Sequence, residues 1–222
     1  MSERSRMSNF RKELRRHGWP QATLAAGLGL IRRLINFELS VLCMNSGKPY
    51  EFLGHSVISV ETIDCAERFH KALHGEIPAV DYQWSFERGD QCVANVIDNV
   101  IVGYGFSTDL PTPVVDDIEF FFPRWCVYSF ASYTAPSFRG QRLAKYRWPE
   151  SHRQKEIRYG TSPREVYYIS LANSESLKSD LADGTPSIRL GYAVWLRLGR
   201  HTLCWNSRGA KRNGLGFRKS LP

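Results

Sequence analysis

The sequence predicts a mixed α/β fold, with a largely antiparallel sheet flanked by helices and an N-terminal helical extension. Two apolar runs, 92–97 and 100–106, are separated only by Asp98 and Asn99, which is a strong indication of a β-hairpin. Further strand-like runs lie at 54–60, 118–122, 126–134, 165–171 and 191–198, and helical stretches at 63–73, 141–155 and 174–181. Helices alternating with strands in this way are typical of a layered α/β domain.

The N-terminal residues are expected to form a basic arm followed by a helix. Pro20 is well placed to open a helix that runs to about Leu42. The apolar residues of this stretch follow helical spacing (Leu24, Leu28, Ile31, Leu34 and Ile35). We therefore expect the arm and helix at 1–46, the main domain at 47–205 and a basic tail at 206–222. Within the domain, Pro149 is expected to interrupt the helix at 141–155.

The composition is that of a folded protein without a membrane span. Of the 222 residues, 42% are apolar and 23% are charged, and no apolar run is long enough to cross a bilayer. The charged N terminus lacks the apolar centre of a secretion signal, so a cytoplasmic location is expected. The five cysteines and six histidines show no paired spacing, so the sequence predicts reduced thiols and no metal.

Positive charge is concentrated at the two ends of the chain. The formal net charge is +8, of which residues 1–16 carry +4 and residues 197–222 carry +7, which leaves −3 on the body between them. The central domain is therefore not a basic nucleic-acid-binding module. Basic ends of this kind serve solubility, or attract an anionic membrane surface, nucleic acid or an acidic protein partner.

Residues 134–144 (TAPSFRGQRLA) are the most informative about function. A predicted strand runs here through a short turn directly into a helix. The first backbone N–H groups of a helix have no partner within it, and the helix dipole is positive at that end, so a pyrophosphate fits there. Gly140 and Ala144 keep the surface low, and Arg139 and Arg142 add charge-assisted hydrogen bonds.

This segment resembles the cofactor loop of the GCN5-related N-acetyltransferase (GNAT) family. That loop reads [Q/R]-x-x-G-x-[G/A], after a strand that ends in V-x-P-x-[YF]-R-G. Residues 134–140 match the lead-in with Thr in place of Val, Arg139 fills the first loop position, Ala144 fills the last, and Arg142 replaces the central glycine. The resemblance implies that acetyl-CoA, or another acyl-CoA, binds along the loop (Arg139, Gly140, Gln141, Arg142, Leu143 and Ala144).

Other segments match the family in the same order between residues 50 and 200. Residues 88–94 (RGDQCVA) and 102–105 (VGYG) look like its early hairpin, and residues 190–192 (LGY) stand where the family has "lGF". Residues 169–176 (ISLANSES) resemble its fifth strand and the N-x-x-S start of the next helix. The resemblance implies that Asn173 and Ser176 contact the cofactor.

The resemblance also implies where the thioester would lie. The family's fourth strand splays from its neighbour, and backbone N–H groups at that place polarise the thioester carbonyl. Ser132, Tyr133 and Thr134 occupy the corresponding positions in this sequence.

Proton transfer has no single candidate in the sequence. The tyrosine that often donates a proton in the family is replaced by Ser187. Glu119 is the first candidate for a general base, ahead of Asp117. Tyr168, like Tyr128, lies on a predicted strand from which it could point into an acceptor cleft.

The sequence therefore predicts an acyl-CoA-dependent N-acyltransferase, most simply one that moves acetyl to a primary amine of a small molecule or amino acid. The first alternative is a long-chain N-acyl amino acid synthase, whose basic ends would attract an acidic acyl carrier protein. The alternative of another class is a non-catalytic basic regulatory or nucleic-acid-binding protein, supported only by the charged ends.

Overall fold

The computed structural model describes residues 36–45, 58–115, 117–160, 164–181, 187–198 and 201–220. The part of the expected helix from Pro20 to position 35 therefore lies outside the described residues. Beyond that position the prediction is wrong, because Asn36–Asn45 form a strand, β1. Residues 41–44 are all buried in succession, which is the pattern of a strand covered on both faces rather than of a helix with one buried side.

The other elements follow in chain order. The strands are β2 (Ser59–Ile63), β3 (Gln91–Ile97), β4 (Val100–Thr108), β5 (Thr112–Val115), β6 (Ile118–Phe121), β7 (Cys126–Thr134), β8 (Arg164–Ser170), β9 (Ser187–Leu198), β10 (His201–Asn206) and β11 (Gly216–Lys219). The helices are α1 (Ala66–Ala72), α2 (Gln83–Glu87), α3 (Leu143–Tyr159), α4 (Ser174–Leu181) and α5 (Arg208–Arg212). In the part of the chain that the structure describes, no helix is both long and apolar enough to cross a membrane.

One of two compact units, here called the central unit, comprises Asn45–Leu110 and Arg124–Tyr167. Its strands follow the order β8-β7-β4-β3-β2. β7 pairs antiparallel with β4, β4 with β3 and β3 with β2, whereas β7 and β8 are parallel. Asp98 and Asn99 have φ angles of 49° and 65°, which gives the predicted two-residue hairpin turn.

The other unit, here called the terminal unit, comprises Met1–Met44, Pro111–Pro123 and Tyr168–Pro222. In it β10, β9 and β1 are neighbours, and β10 and β9 pair antiparallel. A second sheet has the order β11-β6-β5 and is antiparallel throughout. The predicted fold class, mixed α/β with a largely antiparallel sheet, is therefore confirmed.

The C-terminal residues, expected to be a basic tail, contain α5 and β11. Ala210, Leu215 and Phe217 are at most 1% exposed. Arg218 stands directly opposite Glu119 in the pairing of β11 with β6. This segment therefore belongs to the packed part of the terminal unit.

Helix α3 continues through Pro149, at which an interruption was expected. Proline removes the N–H that would bond the carbonyl of Lys145, one turn earlier. The helix nevertheless buries Leu143, Arg147 and Lys155 along one side and ends at Gly160, whose φ is 70°. The contacts of this buried side outweigh the local cost of the proline.

Phe69 on α1 lies at the centre of the core of the central unit. Its side chain is fully buried, and its ring centroid lies 5.0 to 5.9 Å from those of Tyr82, Phe86, Tyr104 and Phe106. Edge-on and tilted ring pairs add to the free energy of apolar burial. The cluster fixes α1 and α2 against β4.

We expect Phe69→Ala to lower the free energy of unfolding by about 3–5 kcal/mol, because it leaves a cavity among the rings. Denaturant unfolding of the whole chain measures this change. Leu110→Ala is the matched control, since Leu110 is 43% exposed, and it should change the free energy by less than about 0.5 kcal/mol. Equal small effects for both variants would contradict a core centred on Phe69.

Candidate functional site

Strand β7 contains a β-bulge in the segment that the sequence marks as functional. Tyr104 of β4 stands opposite Tyr133, and Phe106 stands opposite Phe130. Two residues of β7, Ala131 and Ser132, therefore face the single residue Gly105. Ala131 has a φ of 50°, a left-handed conformation that residues other than glycine seldom adopt. Such a bulge bends the strand and redirects its side chains.

The opposite edge of β7 is only partly paired. The parallel ladder joins residues 126–128 of β7 to residues 164–166 of β8. Within the described residues, this ladder does not continue past Tyr128, so the backbone of β7 from Ser129 to Thr134 has no ladder partner in β8. A strand edge of this kind offers backbone N–H and C=O groups to a ligand.

The turn after β7 leads into α3 through two left-handed residues. A 3₁₀ turn spans Pro136–Phe138. Gly140 then has a φ of 81° and Arg142, at the N-cap of α3, a φ of 58°. A Cβ added at Gly140 would have no atom within 4 Å, so the surface above it is open. The Lys145 N–H donates to the carbonyl of Arg142 at 2.9 Å. In general, the first N–H groups of a helix lack intrahelical partners, and such groups can bind an anion.

Side chains brace the turn from two directions. Ser137 donates from its N–H and its hydroxyl to Glu76 Oε2, at 3.0 and 2.6 Å. These hydrogen bonds hold the pKa of Glu76 below its usual range. Arg139 Nε donates to the carbonyl of Thr134 at 3.1 Å, and its guanidinium lies 5.4 Å from the ring centre of Tyr133. The backbone of the turn is therefore held in place from both sides.

The buried side chain of Arg147 on α3 hydrogen-bonds the bulge. Its Nη2 donates to Ser132 Oγ at 2.9 Å and its Nη1 to Asn95 Oδ1 at 2.5 Å. The side chain is 4% exposed, and burial lowers the pKa of Arg147 to about 10, so it is still charged at neutral pH. The buried guanidinium of Arg147 is thus hydrogen-bonded to two uncharged side-chain oxygens, one of Ser132 and one of Asn95.

Gly103 allows this approach of α3 to the sheet. A Cβ at Gly103 would lie 2.8 Å from Arg147 Nη1 and 3.2 Å from the carbonyl oxygen of Tyr133. Both atoms belong to the bulge contact, so any larger residue here displaces the arginine or the strand.

The predicted binding residues fall into two groups. The residues of the bulge and the turn come together in the central unit (Ser132, Tyr133, Thr134, Arg139, Gly140, Gln141, Arg142, Leu143 and Ala144). Asn173 and Ser176 belong to the terminal unit. There Asn173 Oδ1 accepts from the N–H of Ser176 at 3.1 Å. The N-x-x-S spacing is therefore explained, in this structure, by the capping of α4.

The two predicted catalytic residues also lie in the terminal unit and have structural partners there. Glu119 accepts from Arg218 Nε at 2.5 Å. The ring of Tyr168 lies 5.3 Å from that of Phe120 and 5.1 Å from that of Phe217. These contacts are structural, and a catalytic role for either side chain stays a prediction.

The sequence reasoning missed Arg147. The buried residues of α3 are Leu143, Arg147 and Lys155, of which Arg147 follows Leu143 by about one helical turn. A search for apolar stripes does not find this pattern, because two of the three residues are cations. The sequence indicates a buried Arg147 only through its position one helical turn after the apolar Leu143.

No protein-family model matches the chain, and no curated protein matches it. Among solved structures, it is similar to a GCN5-related N-acetyltransferase from Kribbella flavida, with 15% identity and a TM-score of 0.47, over 79% of this chain and 65% of that one. It is also similar to a GNAT-family acetyltransferase from Colwellia psychrerythraea, with 13% identity and a TM-score of 0.46, over 72% and 55%.

A third similar structure is a protein from Novosphingobium aromaticivorans assigned to the GNAT acetyltransferases, with 10% identity and a TM-score of 0.47, over 78% of this chain and 67% of that one. Several of the solved structures that resemble this chain are therefore GNAT-family acetyltransferases, and the chain spans 55 to 67% of their length.

We expect Arg147→Met to loosen the bulge without unfolding the chain, because methionine fills similar space but cannot bond Ser132. Amide hydrogen exchange of residues 130–134 should accelerate at least about tenfold. The free energy of unfolding should fall by about 1–3 kcal/mol, because the buried Asn95 Oδ1 loses its hydrogen-bond donor. Arg153→Met, on the same helix and paired with Glu150 at the surface, is the control. Unchanged exchange in the Arg147 variant would show that the arginine does not hold the bulge.

Proposed function

We propose that this chain is an acyltransferase that moves an acyl group from an acyl-CoA thioester to a primary amine. The observation that carries the proposal is the open edge of β7. The strand leaves the β8 ladder after Tyr128, bulges at Ala131 and runs through the turn into the start of α3. These features follow one another within residues 128–144, so a single extended ligand can contact all of them.

The phosphate end of the ligand fits the start of α3. Backbone N–H groups at a helix start bind phosphate oxygens, and the helix dipole favours their charge. The left-handed residues Gly140 and Arg142 turn the chain so that the surface above Gly140 stays open. Arg139 and Arg142 are both exposed at this turn and can add charge-assisted hydrogen bonds.

The thioester end fits the open strand edge. The pantetheine arm of coenzyme A contains two amides, which can pair with backbone groups of a strand that has no neighbour. An N–H of the same edge, near the bulge, can donate to the thioester carbonyl and stabilise the negative charge that develops on its oxygen. The hydrogen bond from Arg147 to Ser132 supports this role of the strand edge. Backbone N–H groups that stabilise the oxyanion must be fixed in position before the reaction.

The basic C terminus gives little support to a nucleic-acid-binding function. Arg197 donates to Asp117, Arg218 pairs with Glu119, and Lys219 Nζ lies 3.9 Å from Asp117 Oδ2. Part of the positive charge is thus compensated within the terminal unit, which favours the enzyme over the charged-arm alternative.

The loop itself is tested by two substitutions. Arg142→Ala should weaken acetyl-CoA binding by about 1.5–3 kcal/mol, the size of a charge-assisted hydrogen bond. Gly140→Val should weaken it more, because a β-branched residue is strained at positive φ and fills the open surface. Calorimetric titration of acetyl-CoA measures both, and both variants should raise the KM for the donor.

Lys71→Ala, at an exposed position of α1, is the control and should bind acetyl-CoA as the unmodified chain does. Equal affinity of all four proteins would remove the main support for the acyltransferase.

A direct screen can identify the acceptor amine and the length of the acyl group. Release of the coenzyme A thiol is followed over pooled primary amines, with acetyl-CoA and a long-chain acyl-CoA in parallel. We expect the acetyl donor and a small amine or amino acid to react. Faster release from the long-chain donor would instead indicate an N-acyl amino acid synthase, and a salt-dependent gel shift with DNA but no thiol release would indicate a regulatory protein.

A further inference from the structure

A buried cluster of ionisable side chains lies beside β7, in the central unit. Its centre is Glu165 of β8, whose side chain is 8% exposed. The hydroxyl of Ser129 donates to Glu165 Oε1. Lys155 Nζ of α3 lies 3.2 Å from Oε1, and Asn45 Nδ2 donates to Oε2 at 3.4 Å. Three side chains therefore hold this carboxylate in one position.

The charge state of Glu165 is set by these neighbours. Burial alone would raise the pKa of Glu165, but chiefly the charge of Lys155 and the hydrogen bond from Ser129 outweigh burial and hold it below its usual range. The carboxylate is therefore ionised at neutral pH. Lys155, which is 1% exposed, compensates its charge.

His152 of α3 is the member of the cluster that reaches solvent. Its Nε2 lies 3.7 Å from Glu165 Oε2, and its side chain is 22% exposed. Burial lowers the pKa of His152 below 6.5, while Glu165 opposes this shift and Lys155 adds to it. The other charged group that acts on it is Glu156 of α3, and β7 contributes the neutral Ser129. At neutral pH the imidazole is uncharged and able to accept a proton.

A purely structural role does not explain this arrangement well. A buried Lys–Glu pair gives little net stability over apolar residues of the same volume, because both charges lose their hydration. Buried ionisable groups with shifted pKa values are, in contrast, typical of sites where protons are transferred. The neutral histidine at the exposed edge of the cluster has the chemistry of a general base.

The cluster lies where the reacting end of an acyl-CoA would be. Ser129 is the first residue of β7 beyond the β8 ladder. Ser132, beyond the bulge, contacts the same helix α3 through Arg147. His152 follows Leu143 by nine residues on α3, which is about 14 Å along the helix axis. That length is comparable with the pantetheine arm, which separates the phosphates of coenzyme A from the thioester.

We propose that His152, which lies beside the carboxylate of Glu165, takes the proton that the acceptor amine loses. This inference rests on the proposed acyltransferase function. The amine nitrogen forms a bond to the thioester carbonyl carbon, and the carbon–sulfur bond breaks. The amine proton moves to the imidazole, and the imidazolium passes it to the departing thiolate. The histidine ends neutral, and no further reactant is consumed.

Glu165 is a positioning residue in this scheme. Its negative charge, 3.7 Å from His152 Nε2, stabilises the imidazolium that forms during transfer. Lys155 and Ser129 keep the carboxylate ionised, and Asn45 donates a further hydrogen bond to it. In this scheme the base is His152 and not Glu119, the base candidate named from the sequence.

The pH dependence of turnover tests the assignment. With acetyl-CoA and the amine that releases thiol fastest in the screen, kcat should be constant near neutral pH and fall as the pH drops through the lowered pKa of His152, below 6.5. His152→Gln should lower kcat at neutral pH by roughly 100-fold and remove this acid limb. Glu165→Gln should move the limb to lower pH, because the imidazolium loses its counter-charge.

The exposed His201 of β10 supplies the matched control, since His201→Gln should keep both kcat and the acid limb. Imidazole NMR of the unmodified chain and of Glu165→Gln gives a second readout that needs no turnover. The His152 resonances should titrate below 6.5, and at still lower pH in the variant. A His152 resonance that titrates independently of Glu165 would overturn the inference.

Calorimetry with acetyl-CoA on the same preparations separates the two proposals. If the unmodified chain and His152→Gln bind acetyl-CoA equally, and the variant keeps the kcat and the acid limb, His152 is not the base although the acyltransferase stands. If neither protein binds acetyl-CoA, the proposed function fails, and the inference fails with it.

Discussion

The contacts of α3 with β7 are the constraint on which the rest of the site depends. Arg147 bonds Ser132 on one side of the bulge. Lys155, through Glu165, fixes Ser129 on the other side. Because both cations come from one helix, the bend of β7 and the start of α3 are set by the same rigid element. The helix thereby fixes the position of the open strand edge relative to the proposed anion-binding turn.

The two faces of β7 are stabilised by different interactions. On one face Phe130 and Tyr133 pack with Phe106 and Tyr104, at ring separations of 5.6 and 6.3 Å. The face toward α3 instead carries serines that accept from or donate to buried charged groups. Apolar packing would hold the strand against the helix but would not specify the bulge, whereas directional hydrogen bonds fix both the position and the orientation of its backbone.

Much of the fold was predictable because local patterns decide it. β7 and α4 have the predicted bounds, and Asp98 and Asn99 form the predicted turn. β1 was mistaken for a helix, since periodicity cannot separate a buried helix from a strand covered on both faces. β11 was missed because its cations are paired by partners about a hundred positions away in the chain, as Arg218 is by Glu119. The loop at 139–144 was predictable from a contiguous motif, but the roles of Arg147 and His152 depend on contacts with Asn95 and Glu165, which no local pattern contains.

The central claim is that the bulged edge of β7 and the start of α3 bind one acyl-CoA molecule. Backbone amide NMR of the chain during titration with acetyl-CoA tests it most directly, because it reports on each N–H group separately. The account predicts saturable shifts at residues 129–134 and 140–144, with the same dissociation constant at both segments. Shifts confined to other parts of the chain, or different dissociation constants for the two segments, would contradict it.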